Sequence, residues 1–284
     1  MNALVGMEAP LGAPELDRRE RLCRSIAQSA GSLAMTGFRR MAAGAGVSMK
    51  GPQDYLTESD GEVVEHLRRR LAAEVPEDGF LGEEGGGAAA PHLWVVDPID
   101  GTANFARGIP HFAISIAFVD RGSVEFGAID NPAASELYFA RRGRGATRNG
   151  APLRVAATNA LDRASVELGW SSRVANETYL GVMAELLAAG ANVRRGASGA
   201  LGLAYVADGR SDAYAELHIN AWDCLAGLLI AEEAGARVNG FLAQDGLLKG
   251  NPVLAVAPGI ADAIARAVGI ELVEREADSP RPAA

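Results

Sequence analysis

Trp94-Val95-Val96-Asp97-Pro98-Ile99-Asp100-Gly101-Thr102-Ala103-Asn104-Phe105 is the stretch on which the fold and chemistry of this 284-residue chain turn. An apolar strand runs straight into two carboxylates three residues apart. Pro98 has no amide to give a ladder, so the spacing predicts a turn there. The turn brings Asp97 and Asp100 to one point with the Ile99 carbonyl between them, and Gly101 allows backbone that a side chain would forbid. Two carboxylates, a carbonyl and the Thr102 hydroxyl form an all-oxygen donor set, which suits Mg²⁺ or Mn²⁺ rather than zinc. Taken alone, Asp-Pro or Asp-Gly is an ordinary surface turn; the whole string, launched from a buried strand, is not.

Outward from this string the chain has two textures. Upstream, Leu16–Met41 carries Leu22, Ile26, Leu33 and Phe38 at near-helical spacing. A second helix opens at Ser59-Asp60-Gly61-Glu62, a capping-box pattern, and shows Val63, Val64, Leu67 and Leu71 on one face until Pro76. From 93 to 156 short β-rich runs (93–97, 111–119, 123–130, 135–140, 153–156) alternate with turn signals, as in an antiparallel meander. Beyond 156 strand-like and helical segments alternate: 165–169, 175–189, 192–195, 199–208, 212–217, 222–234 (closed by Gly235), 253–257 and 259–268. That alternation predicts a parallel or mixed sheet covered by helices. The reading is a layered α/β fold with a flexible 1–14, an N-terminal lobe over 15–155, a C-terminal lobe over 156–272 and a disordered tail over 273–284. Gly85–Pro91 reads as a mobile surface loop.

With 27 Lys+Arg against 36 Asp+Glu, the net charge is −9 and the pI about 5.1. This balance argues against nucleic-acid or anionic-membrane partners, so any phosphate must be held by something other than net charge. Two distant cysteines, Cys23 and Cys224, rule out a disulfide framework and fit a reducing cytoplasm. No apolar run is long enough to span a bilayer.

Two further acidic elements stand at segment ends. Gly82-Glu83-Glu84 leaves an apolar run, and Ala221-Trp222-Asp223 opens an apolar helix. Alone, Glu83 and Glu84 would be a solvated loop and Asp223 a plain helix N-cap. Together with Asp97 and Asp100 they place carboxylates at three segment ends, where α/β folds gather ligands.

The string 97–102, with Gly82-Glu83-Glu84 before it, Trp222-Asp223 after it and Thr57-Glu58-Ser59-Asp60 at the second helix, resembles the inositol monophosphatase family over about residues 20–257. The resemblance implies an alternating α/β/α/β/α sandwich and a Mg²⁺-dependent phosphomonoesterase. It implies Glu83, Asp97 and the Ile99 carbonyl around one Mg²⁺, and Asp97, Asp100 and Asp223 around a second. Thr102 and Glu83 would orient the attacking water, with Asp60 assisting, and the Gly101 and Thr102 amides would contact phosphate. Glu216, with Ser198 and Gly199, would meet substrate hydroxyls, and Lys50 would sit on a loop near the metals. A cytoplasmic homodimer and lithium sensitivity are implied likewise. Two divalent ions can neutralise phosphoryl oxygens and activate water, so an acidic protein can grip an anion.

Other signals count for less. His66, His92, His111 and His218 lack metal-binding spacing and read as surface or satisfied groups. Gly196–Gly202 lacks both the dinucleotide fingerprint and the P-loop lysine, and Arg141-Arg142-Gly143-Arg144 reads as a solvated basic turn. The substrate expected is a small polyol phosphate, myo-inositol monophosphate first, because a carboxylate at Glu216 suits hydroxyls and disfavours a second phosphate. Histidinol phosphate and 3′-phosphoadenosine bisphosphate are the rivals. An aspartyl-nucleophile phosphatase would need Asp-x-Asp spacing, and a non-catalytic scaffold has no need of the full acid set.

Overall fold

The computed structural model describes residues 10–42, 47–51, 54–83, 86–87 and 90–274. The first part of the chain runs α1 (Ala13–Ala42), β1 (Val47–Gly51), β2 (Asp54–Thr57), α2 (Glu58–Glu74), β3 (Gly79–Gly82), β4 (Gly86–Gly87), β5 (His92–Asp100), α3 (Thr102–Ala106), β6 (Ala113–Asp120), β7 (Ser123–Asn131), β8 (Glu136–Arg141), β9 (Ala146–Arg148) and β10 (Ala151–Pro152). The second runs β11 (Ser165–Leu168), α4 (Asn176–Ala188), β12 (Asn192–Arg194), α5 (Gly199–Ala207), β13 (Ala213–Ile219), α6 (Ala221–Ala234), β14 (Arg237–Val238), α7 (Gly246–Lys249), β15 (Asn251–Val256) and α8 (Ala261–Val268).

Eight strands form one sheet in the order β10-β9-β8-β7-β6-β5-β3-β4, and five form a second in the order β12-β11-β13-β15-β14. From β5 to β10 the first sheet is an antiparallel meander. The second is mixed: β11 pairs parallel with β12 and β13, whereas β15 pairs antiparallel with β13 and β14.

Three apolar clusters stack these elements into five layers. Leu22, Ile26, Val63 and Leu67 of α1 and α2 pack on Trp94, Phe118 and Phe126 of the first sheet. Leu201, Leu225 and Leu229 of α5 and α6 fill the space between the sheets, and Leu186 and Ile264 of α4 and α8 cover the far face of the second. The chain is therefore an α/β/α/β/α sandwich. No described helix is long and apolar enough to cross a membrane.

Several local readings are corrected. The capping box of α2 joins Thr57 to Asp60, not Ser59 to Glu62. Residues 153–156 form no strand; the Leu153 and Val155 amides bond to the carbonyls of Ala146 and Ala234 instead. Arg141 is buried, not solvated, because it ion-pairs with Asp17 and Glu20 of α1. Helix α1 starts at Ala13, inside the stretch read as flexible, and the Val273 amide bonds to the Val238 carbonyl. The looseness expected for the ends otherwise falls outside the described residues, as does most of the 85–91 loop.

Candidate active site

The strand β5 continues through Pro98 to Asp100 rather than stopping at the proline. It does so by a bulge: Asp97 pairs with Ser115 and Asp100 with Ala113, three residues on β5 against two on β6. Side chains alternate faces along a strand, so residues i and i+3 would normally point apart. The extra residue corrects the parity. Leu93 and Val95 face α5 and α6, Trp94, Val96 and Ile99 face α1 and α2, and both carboxylates emerge on the α5/α6 side. The Asp97 carboxylate accepts the Ile99 amide at 2.9 Å and so locks the bulge. Gly101 follows with φ 92°, and a Cβ there would lie 3.0 Å from the His111 carbonyl, so the position demands glycine.

Two helix N-termini meet this edge. Asp100 accepts the Gly199 and Ala200 amides of α5 at 3.2 and 2.8 Å, and the Ser198 hydroxyl as well. Ser198 is the N-cap of α5. Asn220, not Asp223, is the N-cap of α6; Asp223 sits at the third helical position and reaches back to the Asn220 amide at 3.2 Å. The Ser115 hydroxyl donates to the Trp222 carbonyl at 2.9 Å and pins this first turn to the sheet.

As a result Asp97, Asp100 and Asp223 each offer a carboxylate oxygen within 4.8 Å of the others. Burial first, then the negative charges of Glu83, Asp223 and Asp100, push the Asp97 carboxyl well above the usual range. Burial raises Asp100 to about 6 against the pull of its donors, and Asp223 to about 7. Three crowded carboxylates with elevated proton affinity form a cluster that could hold a metal ion. Their hard oxygens, 1 % exposed at Asp97, are a donor set of the kind that fits Mg²⁺.

The remaining predicted residues fall around this centre. Glu83 is exposed and stands outside the three-acid cluster, on the same cleft. The Ile99 carbonyl accepts the Thr102 hydroxyl at 2.8 Å. Asp60 is buried and accepts the Thr57 amide and hydroxyl at 2.8 and 2.6 Å. Gly101, Thr102, Ser198, Gly199 and Glu216 all line a cleft of about 730 Å³ with the acids. Glu216 is raised to about 7 by burial and accepts the Tyr214 hydroxyl at 2.6 Å. Lys50 lies in β1, its side chain outside the described residues, and Glu84 falls outside them altogether.

The model of the inositol monophosphatase family matches residues 16–271. The chain belongs to that family. Among relatives of the family member, an inositol-1-monophosphatase of Rhizobium meliloti (strain 1021) is 44% identical over 194 residues, 66% of this chain and 73% of that protein. The protein named Nus factor SuhB of Pseudomonas aeruginosa is 37% identical over 238 residues, 81% and 88% of the two chains. Among solved structures, the extragenic suppressor protein suhB from Bartonella henselae superposes with a TM-score of 0.81 at 34% identity, covering 87% of this chain and 97% of that one. An inositol monophosphatase from Anabaena gives 0.78 at 28% identity, covering 90% and 96%.

Sequence reasoning missed some residues in or beside this phosphatase-family cleft. Asn104 donates from Nδ2 to the carbonyls of His111 and Gly196 at 2.8 and 2.9 Å, tying the bulged turn to the loop that feeds α5. Glu167, 1 % exposed, accepts the Gly196 amide at 3.0 Å. His111 is not a satisfied histidine: its Nε2 has no partner among the described residues, and burial lowers its pKa. Each lies in a stretch already quoted or on a predicted strand, but only the three-dimensional path joins them.

Proposed function

We propose that this chain is a Mg²⁺-dependent phosphomonoesterase acting on a small polyol phosphate, with myo-inositol monophosphate as the first candidate. The observation that carries the reading is the meeting of Asp97, Asp100 and Asp223 at two helix N-termini, on a cleft that Glu216 also lines. Asp97, Asp100 and Asp223, with Glu83 and the Ile99 carbonyl, would hold the metal. When bound, Mg²⁺ supplies positive charge against the phosphoryl oxygens and lowers the pKa of water.

The chain's own groups do the rest. Thr102 already spends its proton on the Ile99 carbonyl, so its oxygen is left to accept from the attacking water and aim it. Glu83, on the exposed side of the cleft, takes the second proton of that water. The water oxygen bonds to phosphorus as the ester P–O bond breaks, and the leaving alkoxide takes a proton from solvent water, to which Glu83 later returns the one it accepted. Asp60 fixes the strand-to-helix joint at Thr57 that precedes the site. The Gly101 and Thr102 amides bind phosphate, and Glu216 with Ser198 and Gly199 takes the alcohol. A carboxylate at that end favours a polyol over a bisphosphate nucleotide. The family likeness also carries our placement of the protein as a lithium-sensitive cytoplasmic homodimer.

Phosphate release from myo-inositol 1-phosphate, histidinol phosphate and 3′-phosphoadenosine 5′-phosphate, with Mg²⁺ and with EDTA, tests the reading. The inositol ester should give the highest kcat/KM, and EDTA should abolish turnover. Release that persists in EDTA, or a higher kcat/KM on either rival, would overturn it.

A further inference from the structure

The turn that leads into α5 has little of its own to hold it. Among the described residues, Gly196 and Ala197 take part in no backbone–backbone hydrogen bond. Ala197 stands at φ 60°, in the left-handed region that an L-alanine disfavours. Gly196 is pressed from two sides: a Cβ there would fall 2.3 Å from Glu167 Oε1 and 2.7 Å from His111 Nε2. Backbone of this kind persists only where its surroundings fix it.

Two side chains from distant parts of the chain do so. Asn104 Nδ2 donates to the carbonyls of Gly196 at 2.9 Å and Ala197 at 3.3 Å, and to that of His111 at 2.8 Å. Converging carbonyl oxygens repel one another, and the two N–H donors of a carboxamide reconcile them. Glu167 takes the other end of the same glycine, accepting its amide at 3.0 Å. What the turn carries is the site. One residue on, Ser198 caps α5, and its hydroxyl with the Gly199 and Ala200 amides holds Asp100. Asn104 is itself rooted in the turn assigned to phosphate, its amide donating to the Gly101 carbonyl at 2.9 Å. A Cβ on Gly101 would lie 3.0 and 3.3 Å from the His111 and Ala197 carbonyls that Asn104 binds. One carboxamide thus sets the spacing between the Gly101 turn and the start of α5.

We propose that Asn104 and Glu167 are positioning residues: they clamp the Gly196–Ala197 turn in the shape that keeps the first amides of α5 on Asp100. Their part in turnover rests on the phosphatase reading above; the clamp itself does not. A misplacement of about 1 Å at a reacting centre can cost about a hundredfold in rate, so the clamp acts on kcat rather than on the grip of the alcohol.

The test takes two measurements on the full-length protein: amide hydrogen–deuterium exchange without metal, and steady-state phosphate release from myo-inositol 1-phosphate with Mg²⁺. The first amides of a helix have no partner inside it, so protection of Gly199 and Ala200 reports their contact with Asp100. In Asn104→Ala and in Glu167→Ala, exchange at these two amides should be about tenfold faster while the β6–β7 pairing keeps its protection. With Mg²⁺, kcat should fall about ten- to a hundredfold with KM within about threefold. Glu167→Gln keeps an acceptor for the Gly196 amide, so its exchange and its kcat should stay within about threefold of wild type. Unchanged exchange in both alanine variants would overturn the proposal, as would faster exchange with wild-type kcat, or a Glu167→Gln protein as impaired as Glu167→Ala. Protection lost equally throughout the molecule would also overturn it, by making the two side chains supports of the whole fold. A wild-type protein that releases no phosphate would overturn the phosphatase reading instead, and the exchange rates would still decide the clamp.

Discussion

Asp100 and Asp130 stand at the ends of two strands of the same sheet, both less than a tenth exposed, and the protein treats them in opposite ways. Asp100 faces the start of α5, where the first amides of a helix have no partner of their own. It collects two of them and the Ser198 hydroxyl. Asp130 faces the middle of the 30-residue α1, where every amide is spent inside the helix. Its carboxylate sits so close to Gly31 that a Cβ there would fall 1.8 Å from it, and burial is the sole cause that raises its pKa to about 7. Both carboxyls are buried, but one meets a helix end and the other a helix flank. That contrast separates a carboxylate built into a site from one that is merely enclosed.

The largest effect expected is at the built site. Asp97→Asn or Asp223→Asn keeps shape and hydrogen-bond capacity while removing one negative charge from the three-acid cluster. Turnover with Mg²⁺ should drop by about a thousandfold, several kcal/mol of lost charge stabilisation. The metal-free variants should unfold at the same or a higher temperature than wild type, since a like-charge repulsion has gone, and Mg²⁺ should raise their melting temperature less. Wild-type turnover in either variant would dissolve the distinction between the two carboxylates.

The next effect is at the enclosed one. The folded chain keeps the Asp130 proton up to about pH 7, whereas the unfolded chain loses it near 3.9. Between those values the folded state binds more protons, so stability falls as pH rises through this window. Asp130→Asn should remove that fall, stabilising the protein by about 2–4 kcal/mol at pH 8 and by little at pH 4. Urea unfolding at the two pH values measures it, and equal midpoints for both proteins at pH 8 would show that Asp130 carries no buried charge.

The sequence carried the periodic and the chemical parts of this picture. Helix α6, closed by Gly235 in the left-handed region at φ 110°, and the meander from β5 to β8 follow from apolar spacing and turn residues. Asp97, Asp100 and Asp223 were legible because each stands at the end of an apolar run, and their convergence was expected from the family likeness. What spacing cannot show is parity and partnership. A bulge of one residue decides which face Asp100 takes, and no local pattern announces it beyond a proline inside a strand. The buried pairing of Arg141 with Asp17 and Glu20 joins residues more than 120 positions apart, so its arginine reads locally as a solvated turn. Short strands such as β9, β10 and β14 hold two or three residues each and have no period to detect.

The smallest effect tests the comparison most directly, because its sign is opposite to that of Asp130→Asn. The Ser198 side chain serves two partners: it accepts the Leu201 amide at 3.3 Å as N-cap of α5, and it donates to Asp100. Ser198→Ala removes both bonds but leaves the Gly199 and Ala200 amides on the carboxylate. A lost cap costs about 1 kcal/mol, and Asp100 keeps two of its three donors, so a loss of that size is expected in urea unfolding of the metal-free protein. Stripping a donor from the carboxylate at the helix end should thus destabilise, where neutralising the carboxylate on the helix flank should stabilise. If Ser198→Ala left the midpoint unchanged, the α5 N-terminus alone would suffice to hold Asp100, and the hydroxyl would belong to the substrate pocket rather than to the fold.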